Sequence, residues 1–413
     1  MRPSPETIQR ALTQATERFA AELAEPTPQA PSWNDFEWSI ARAAAVLHGV
    51  TPLLSSTLRW TGPQSWQAFL MQQRQQTLLR YERIAAVLRQ ITDQAAAQGL
   101  AFVALKGSAL HALGVYTAGE RPMADIDLLV RPADAARAAQ VLAAVGYVQT
   151  GAVWKHEIFE PAQCAGPANP YKGILASLPL GEHEAYPVKV ELHTRIVERL
   201  PLAEAEITEL VFPAGATPGL NPYRSNSALL LHLLLHAAGN LATRSMRLMH
   251  LHDLARLAAP MTTPQWEELL GLGSTPKSFW WAFPPLQMLN HYQPGLVPQA
   301  VINTVRQACP WTLRRLSHHA TLTQFSLASL SIPAFPAMAW CTSTGERLRY
   351  VGQRVRPTPA TLAMRAVVAD EQWAAQSTWW CRSQGLRMLQ WLFARPPRQA
   401  PMYIVRLALQ NPA

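Results

Sequence analysis

The stretch LAFVALKGSALHALGVYTAGERPMADIDLLV, residues 100–130, predicts the centre of the fold. It begins with an apolar strand over Leu100–Leu105, turns at Lys106–Ser108 into a short helix, and ends in a second strand that carries Asp125 and Asp127. Because successive side chains of a strand point to opposite faces, the two carboxylates share one face, roughly 7 Å apart, and the apolar residues between and after them face a core.

Two acids in an otherwise apolar strand would cost several kcal/mol in desolvation and mutual repulsion unless a counter-charge or a metal compensates them. The hard oxygens of Asp125 and Asp127 suit Mg²⁺. The free N–H groups of the turn at Gly107 and Ser108, together with the dipole of the following helix, suit phosphate oxygens. The stretch therefore predicts a site for a metal and a phosphate.

Glu191 is the natural third carboxylate. It lies in the sequence VKVELH, residues 188–193, where alternation places Val190 in a core and Glu191 on the opposite face with Lys189 and His193. If this strand lies beside the Asp125 strand, the three acids hold one or two Mg²⁺ ions, which activate a hydroxyl and stabilise a leaving pyrophosphate. The alternative is a solvated strand face on which Glu191 pairs with Lys189.

Three polar residues near the turn are candidates for phosphate contacts. The chain has five lysines against 31 arginines, so Lys106 in an apolar context indicates either a phosphate contact or a strand-end cation that reaches solvent. Ser108 contacts a phosphate, caps the helix, or does both. Arg121, a few residues before the acid pair, is a candidate for steering a triphosphate.

The charge of the chain is unevenly distributed. The whole chain carries +9, yet residues 301–413 hold 13 Arg, no Lys and 3 acids, which leaves the first 300 residues close to neutral. The predicted catalytic part is therefore not a basic platform, and nucleic acid is an unlikely partner. The basic C-terminal part is either a solvated helical surface or a surface for an anionic partner.

The 413 residues predict more than one domain. We predict a helical N-terminal region over residues 1–62, a nucleotide-binding core over residues 63–222, and a helical C-terminal region over residues 223–413. Helices are expected over Glu6–Leu23, within Trp33–Leu58 with Asn34 or Asp35 as N-cap, and over Gln64–Gly99. The proline- and glycine-rich segment Pro213–Pro222 is predicted to be a linker.

The sequence predicts a cytoplasmic protein. The four cysteines are scattered without C-x-x-C spacing, which argues against a disulfide scaffold or a zinc ribbon. The first 20 residues contain no apolar segment typical of a secretory signal. No apolar run approaches the 18 residues that a membrane span needs.

His232 and His236 stand four residues apart on a predicted apolar helix, and His250, His252 and Asp253 follow. The spacing is that of a zinc-binding pair, but Leu233 occupies the position where the H-E-x-x-H metalloprotease motif has its general base. We therefore favour a structural role, with lining of the substrate cleft and metal binding as alternatives.

Taken in order, the motifs resemble the uncharacterised nucleotidyltransferase family of the polymerase-β-like superfamily. The resemblance covers roughly Ser32–Leu257 and is carried by LKGSAL, RPMADIDLLV, VGY, VELH and LLHLLLHAAG…HDLARL, which begin at Leu105, Arg121, Val145, Val190 and Leu230.

The resemblance implies that Gly107 and Ser108 hold nucleotide phosphates, that Asp125 and Asp127 bind the metals, and that Glu191 completes the triad. It further implies Mg²⁺ or Mn²⁺ and a nucleoside triphosphate as co-substrate. The chain departs from the superfamily pattern in having Lys106 before the turn and about 16 residues between Ser108 and Asp125. Relatives found among genes of peptide or polysaccharide biosynthesis hint at a tailoring role.

The sequence thus predicts an α+β protein, with a nucleotidyltransferase-type mixed sheet, flanking helices and helical terminal regions. The expected reaction moves a nucleotidyl group from an NTP to a hydroxyl of a small molecule, peptide or protein. The alternatives are a phosphotransferase that uses the same site, a non-catalytic adaptor that binds nucleotide or peptide, and a metallohydrolase built on His232 and His236. On this hypothesis Asp125→Asn or Asp127→Asn abolishes transfer and leaves the fold intact.

Overall fold

The structure is a computed structural model, and it describes residues 3–165, 180–273, 276–359, 361–362, 384–393 and 396–410. None of the helices in this part of the chain is both long enough and apolar enough to cross a membrane.

The centre of the molecule is a mixed sheet of six strands, and a separate two-stranded ribbon lies beside it. The strands of the main sheet are β1 (Ala101–Ala104), β2 (Asp125–Leu129), β3 (Tyr147–Ala152), β4 (His156–Pro161), β5 (Lys189–His193) and β8 (Gly219–Asn221). The ribbon pairs β6 (Val197–Arg199) with β7 (Glu204–Glu206) in antiparallel fashion.

The spatial order of the main sheet is β3-β4-β5-β2-β1-β8. Strand β1 runs antiparallel to β2 and parallel to β8, while β2 runs parallel to β5. Strand β4 runs antiparallel to both β3 and β5. The two acid-bearing strands, β2 and β5, are therefore direct neighbours in the middle of the sheet.

Helices surround the sheet along the whole described chain. The α-helices are α1 (Pro5–Ala24), α2 (Asp35–His48), α3 (Thr51–Thr57), α4 (Gln64–Ala97), α5 (Lys106–Ala112), α6 (Ala135–Ala144), α7 (Thr208–Val211), α8 (Asn226–Thr243), α9 (Leu248–Ala258), α10 (Thr263–Gly271), α11 (Phe283–Tyr292), α12 (Gln299–Ala308), α13 (Trp311–His318), α14 (Leu322–Phe325), α15 (Thr344–Val355), α16 (Gln384–Phe393) and α17 (Gln399–Gln410). Short 3₁₀ segments lie at Pro132–Asp134, Ala162–Cys164, Pro276–Ala282 and Met338–Trp340.

One face of the sheet packs against α4 and α6. Successive side chains of each strand point to opposite faces, so the apolar residues between the acids all point to this face of the sheet and form a core. Its fully buried members include Ile84, Phe102, Ile126, Leu128, Val141 and Val190. A second, larger core extends from Ile8 to Ala408, receives Trp66 and Phe69 from α4, and includes Val103 and Leu129 from the sheet.

The structure confirms the predicted α+β class. Helix α2 begins after Asn34, one of the two residues predicted as its N-cap. Asn34 caps α2 through a complete capping box with Glu37, whose side chain accepts the backbone N–H of Asn34. The long helix α4 ends just before Gly99, which adopts φ +62°.

The prediction of a linker over Pro213–Pro222 is wrong. Gly219–Asn221 forms β8, which extends the sheet beyond β1. The side-chain amide of the buried Asn221 donates hydrogen bonds to the carbonyls of Phe102 and Thr217, and these bonds hold the turn against the sheet edge. A three-residue strand is too short to show the alternation that would have revealed it.

The expectation of a helical C-terminal region holds for its described residues, which form helices from α8 to α17. Trp379, Trp380 and Cys381 lie outside the described residues. The other cysteines, Cys164, Cys309 and Cys341, are buried free thiols.

Candidate active site

Strands β2 and β5 bring the three predicted carboxylates together. In their parallel pairing Asp127 lies opposite Glu191 and Asp125 lies opposite Lys189. Directly opposite residues of paired strands point to the same face. Asp125, Asp127 and Glu191 therefore occupy the sheet face opposite the α4–α6 core.

Asp127 is bound by two cationic or proton-donating groups. Its Oδ1 accepts a hydrogen bond from Lys106 Nζ at 2.7 Å and another from His193 Nε2 at 3.0 Å. Burial alone would raise the pKa of Asp127, yet Lys106 and His193 together hold that pKa well below its usual range. Burial alone would lower the pKa of the Lys106 ammonium, but the negative charges of Asp127, Asp125 and Glu191 together raise it. Asp127 is therefore the ionised centre of the group.

The pKa of Asp125 is shifted in the opposite direction. Burial, together with the charges of Asp127 and Glu191, raises the pKa of Asp125 to about 7, although Lys106 and Arg247 act against the shift. At neutral pH this carboxyl group is consequently poised between its two forms. A divalent cation would compensate this unrelieved negative charge, so the donor set of Asp125, Asp127 and Glu191 fits a hard cation.

Lys106 is held in an unusual conformation at the first position of α5. Its φ is +47°, a left-handed value that costs a residue with a side chain roughly 1–2 kcal/mol. Its backbone N–H donates to the Tyr223 hydroxyl at 3.1 Å, and that hydroxyl donates to Nδ1 of His232 at 2.7 Å. These bonds and the ion pair to Asp127 fix the lysine at the site, so it does not extend into solvent.

The residues after Lys106 differ from a simple capping turn. The N-cap position of α5 belongs to Leu105 and has no side-chain hydrogen bond, so the interpretation of Ser108 as N-cap is wrong. Ser108 lies inside the first turn, where its Oγ is buried and has no hydrogen-bond partner among the described residues. A Cβ on Gly107 would lie 2.3 Å from Nη1 of Arg121. Glycine is thus required here because the guanidinium of Arg121 crosses its backbone.

Gly107→Ala should lower the free energy of unfolding by about 1–3 kcal/mol, the usual cost of overpacking a tight contact. The added methyl group must displace the guanidinium of Arg121. The midpoint of urea unfolding measures the effect. Gly215→Ala is the control, because nothing lies within 4 Å of its Cβ position, and it should stay within about 0.5 kcal/mol of the unmodified protein. Equal midpoints for both variants would contradict the packing argument.

Arg121 is committed to Asp253 on α9. Its Nε and Nη2 donate to the two carboxylate oxygens at 2.8 and 2.7 Å, and the Tyr116 hydroxyl donates to Oδ1 at 2.9 Å. Arg121 is 8% exposed and Asp253 is 1% exposed, so the pair is desolvated. The charge of Arg121 is therefore already compensated, although the residue still borders the site.

Two cavities, of about 270 and 260 Å³, open beside the carboxylates. Lys106, Asp125 and His236 line both. The first cavity is also lined by Gly107, Arg121, Asp127, Glu182, Arg247 and His250. The second is also lined by Lys155, His156, Glu191, His193, Glu198 and His232. The arrangement offers two binding spaces that meet at Asp125.

Arg247, His156 and His193 border the site without having been predicted from the sequence to have roles there. Arg247 is an exposed cation at the start of α9, and its charge acts on the carboxylates of Asp125 and Glu182. His193 could have been found, because it shares the strand face of Glu191 two residues away. His156 could not, because only the register between β4 and β5 places it opposite His193.

His232 and His236 do not form the predicted alternative metal site within the described residues. His232 accepts the hydrogen bond from Tyr223, and His236 Nδ1 lies 3.9 Å from Glu198 Oε1. Among the described residues, three side chains place one ligand atom each within 4.8 Å of the others, close enough to bind one ion. They are His156, Glu191 and His193.

A family model described as an uncharacterised nucleotidyltransferase matches residues 34–284, more than half of the chain. The chain belongs to this nucleotidyltransferase family. The match confirms the resemblance seen in the sequence motifs and extends past it to α11. No curated protein and no solved structure matches the chain. The carboxylates, the cavities and the cations of the site all lie inside the matched segment.

Proposed function

We propose that this nucleotidyltransferase family member moves a nucleotidyl group from an NTP to a hydroxyl of a small-molecule, peptide or protein acceptor. The observation that carries the proposal is the in-register pairing of β2 with β5, which gathers Asp125, Asp127 and Glu191 beside two cavities. Two cavities that meet at one carboxylate suit a donor and an acceptor that must react with each other.

The first cavity is the one we assign to the nucleotide. Its lining of Lys106, Gly107 and Arg247 supplies positive charge and the backbone N–H of Gly107 for phosphates. The buried Oγ of Ser108, which has no hydrogen-bond partner among the described residues, lies in the adjoining turn and is a further candidate for a phosphate contact. Arg247 is an exposed residue, whereas Arg121 is buried and paired with Asp253.

Asp125, Asp127 and Glu191 are the residues that we propose to hold Mg²⁺ or Mn²⁺. When bound, a divalent cation neutralises charge on the phosphate oxygens and lowers the pKa of a coordinated hydroxyl. Lys106 and His193 keep Asp127 ionised for this role. Asp125 borders both cavities, so its carboxylate is placed to receive the proton of the acceptor hydroxyl as the new oxygen–phosphorus bond forms and pyrophosphate leaves.

A thermal-shift screen tests the donor site. Wild-type protein with ATP, GTP, CTP or UTP should be stabilised only when Mg²⁺ is present, by roughly 2.7 kcal/mol at a ligand concentration of 100 times Kd. Asp125→Asn should lose the Mg²⁺-dependent part of the shift. Glu157→Gln is the matched control, because Glu157 lies on neighbouring β4 opposite Leu192, on the other sheet face.

The outcomes of the screen separate the alternatives. No shift with any nucleotide, or an undiminished shift in Asp125→Asn, would count against the proposed site. Analysis of the nucleotide product then distinguishes the reactions, because nucleotidyl transfer releases pyrophosphate whereas phosphoryl transfer releases a nucleoside diphosphate. Binding with neither product, in the presence of candidate acceptors, would indicate an adaptor.

A further inference from the structure

We propose that His156, Glu191 and His193 form a second metal site, which shares Glu191 with the proposed carboxylate site and is suited to a divalent transition metal such as Zn²⁺ rather than to Mg²⁺. Strands β4 and β5 run antiparallel with His156 directly opposite His193, and the two imidazole rings lie 4.9 Å apart between centroids. Glu191 lies on the same face of β5, two residues before His193.

Both imidazole rings place a nitrogen near one carboxylate oxygen of Glu191. Oε2 of Glu191 lies 3.3 Å from Nδ1 of His156 and 3.7 Å from Nε2 of His193. All three ligand atoms lie within 4.8 Å of one another. Ligands held at 2.0–2.2 Å around one tetrahedral ion are separated by about 3.5 Å, so the observed spacing needs only small side-chain adjustments.

His156 has a ring nitrogen available for a metal. Its Nδ1 is buried and makes no hydrogen bond to any residue that the structure describes, although Oε2 of Glu191 lies 3.3 Å away. A buried polar atom without a partner is uncommon and needs an explanation. His193 would exchange its hydrogen bond to Asp127 for the metal, and Lys106 would remain to hold Asp127.

The ligand types decide the class of ion. Imidazole nitrogen suits Zn²⁺ and related transition-metal ions, whereas Mg²⁺ and Mn²⁺ suit oxygen ligands. Three protein ligands leave at least one position open, and all three line the cavity of about 260 Å³. The ion would therefore face that cavity. A role of this ion in binding the acceptor hydroxyl rests on the proposed function, whereas the existence of the metal site does not.

The test measures metal binding by chelator-stripped protein without nucleotide. Titration with Zn²⁺ by calorimetry should show a site at least about tenfold tighter than any for Mg²⁺. His156→Gln, which leaves the carboxylate site intact, should weaken Zn²⁺ binding by at least about tenfold, and Glu191→Gln should do the same. His236→Gln is the control, since His236 lines the same cavity outside the cluster.

An affinity for Zn²⁺ that is unchanged in His156→Gln or in Glu191→Gln would overturn the site. So would equal affinities for Zn²⁺ and Mg²⁺, or a loss in His236→Gln as large as that in His156→Gln. The nucleotide screen separates this result from the proposed function. A Mg²⁺-dependent nucleotide shift without a transition-metal site would overturn this inference alone, and transition-metal binding without any nucleotide shift would overturn the proposed function alone.

Discussion

Asp127→Asn is expected to lower the free energy of unfolding by about 3 kcal/mol at pH 8 without metal, whereas Asp125→Asn is expected to raise it by about 1–3 kcal/mol. The two residues share a strand face but have opposite surroundings. Asp127 is paired with Lys106 and His193, so its loss leaves a buried ammonium without its partner. Asp125 carries a charge that Asp127 and Glu191 repel.

The pH dependence follows from the same difference. The pKa of Asp125 is about 7 in the folded chain against an ordinary value of 3.8, so its protonated form favours folding below pH 4 and this contribution disappears as the pH rises through 7. The advantage of Asp125→Asn should therefore grow between pH 5 and pH 8. Asp127 has a lowered pKa, so its contribution is present above about pH 4 and is lost only as the pH falls further.

Urea unfolding at pH 5 and pH 8 measures both effects, and Glu157→Gln again serves as the control. Saturating Mg²⁺ or Mn²⁺ should narrow the gap between wild type and Asp125→Asn, because a cation favours the ionised carboxylate. Equal destabilisation by the two asparagine variants would show that Asp125 is not repelled by its neighbours. The same contrast makes Asp125→Asn the better variant for activity assays, since Asp127→Asn is expected to destabilise the fold.

The carboxylate cluster could be predicted from the sequence because alternation is a local signal. Apolar Ile126 and Leu128 fix the face of β2, and Val190 does the same for β5. The prediction had to leave open whether the two strands are neighbours. That pairing depends on how the whole sheet is ordered, which no local pattern determines.

Other features depended on distant partners and could not be predicted. His156 joins the cluster only through the register of β4 with β5. Strand β8 lies in a segment rich in proline and glycine, and it is held by Asn221 contacts to β1 that involve residues more than 100 positions away. Arg121 was predicted to steer a triphosphate because it lies close to Asp125 in the sequence. Its hydrogen-bond partner Asp253, however, lies 132 residues further along the chain.

Asp253→Asn is expected to destabilise the protein by about 3–5 kcal/mol, the loss found when one partner of a buried ion pair is removed. Arg121 would keep its charge in a desolvated position, and its Nη2 would face an amide NH₂ group in place of the carboxylate oxygen that it binds at 2.7 Å. Denaturant unfolding measures the change. Asp134→Asn is the control, because the Arg137–Asp134 pair is exposed and should contribute less than about 1 kcal/mol. A loss as small as that of the control would show that Asp253 does not stabilise Arg121.

A double-mutant cycle between Arg121 and Gly107 tests how this ion pair shapes the turn beside the carboxylates. The Cβ of residue 107 collides with the guanidinium of Arg121, so Gly107→Ala should cost much less once Arg121 is alanine. A coupling free energy of about 1–2 kcal/mol is expected, of the sign that makes the double variant more stable than the sum of the single changes. Additive effects would instead mean that the cost of Gly107→Ala comes from the backbone at residue 107 and not from the contact with Arg121. In that case α9 would not influence the turn at residues 106–108 through Arg121.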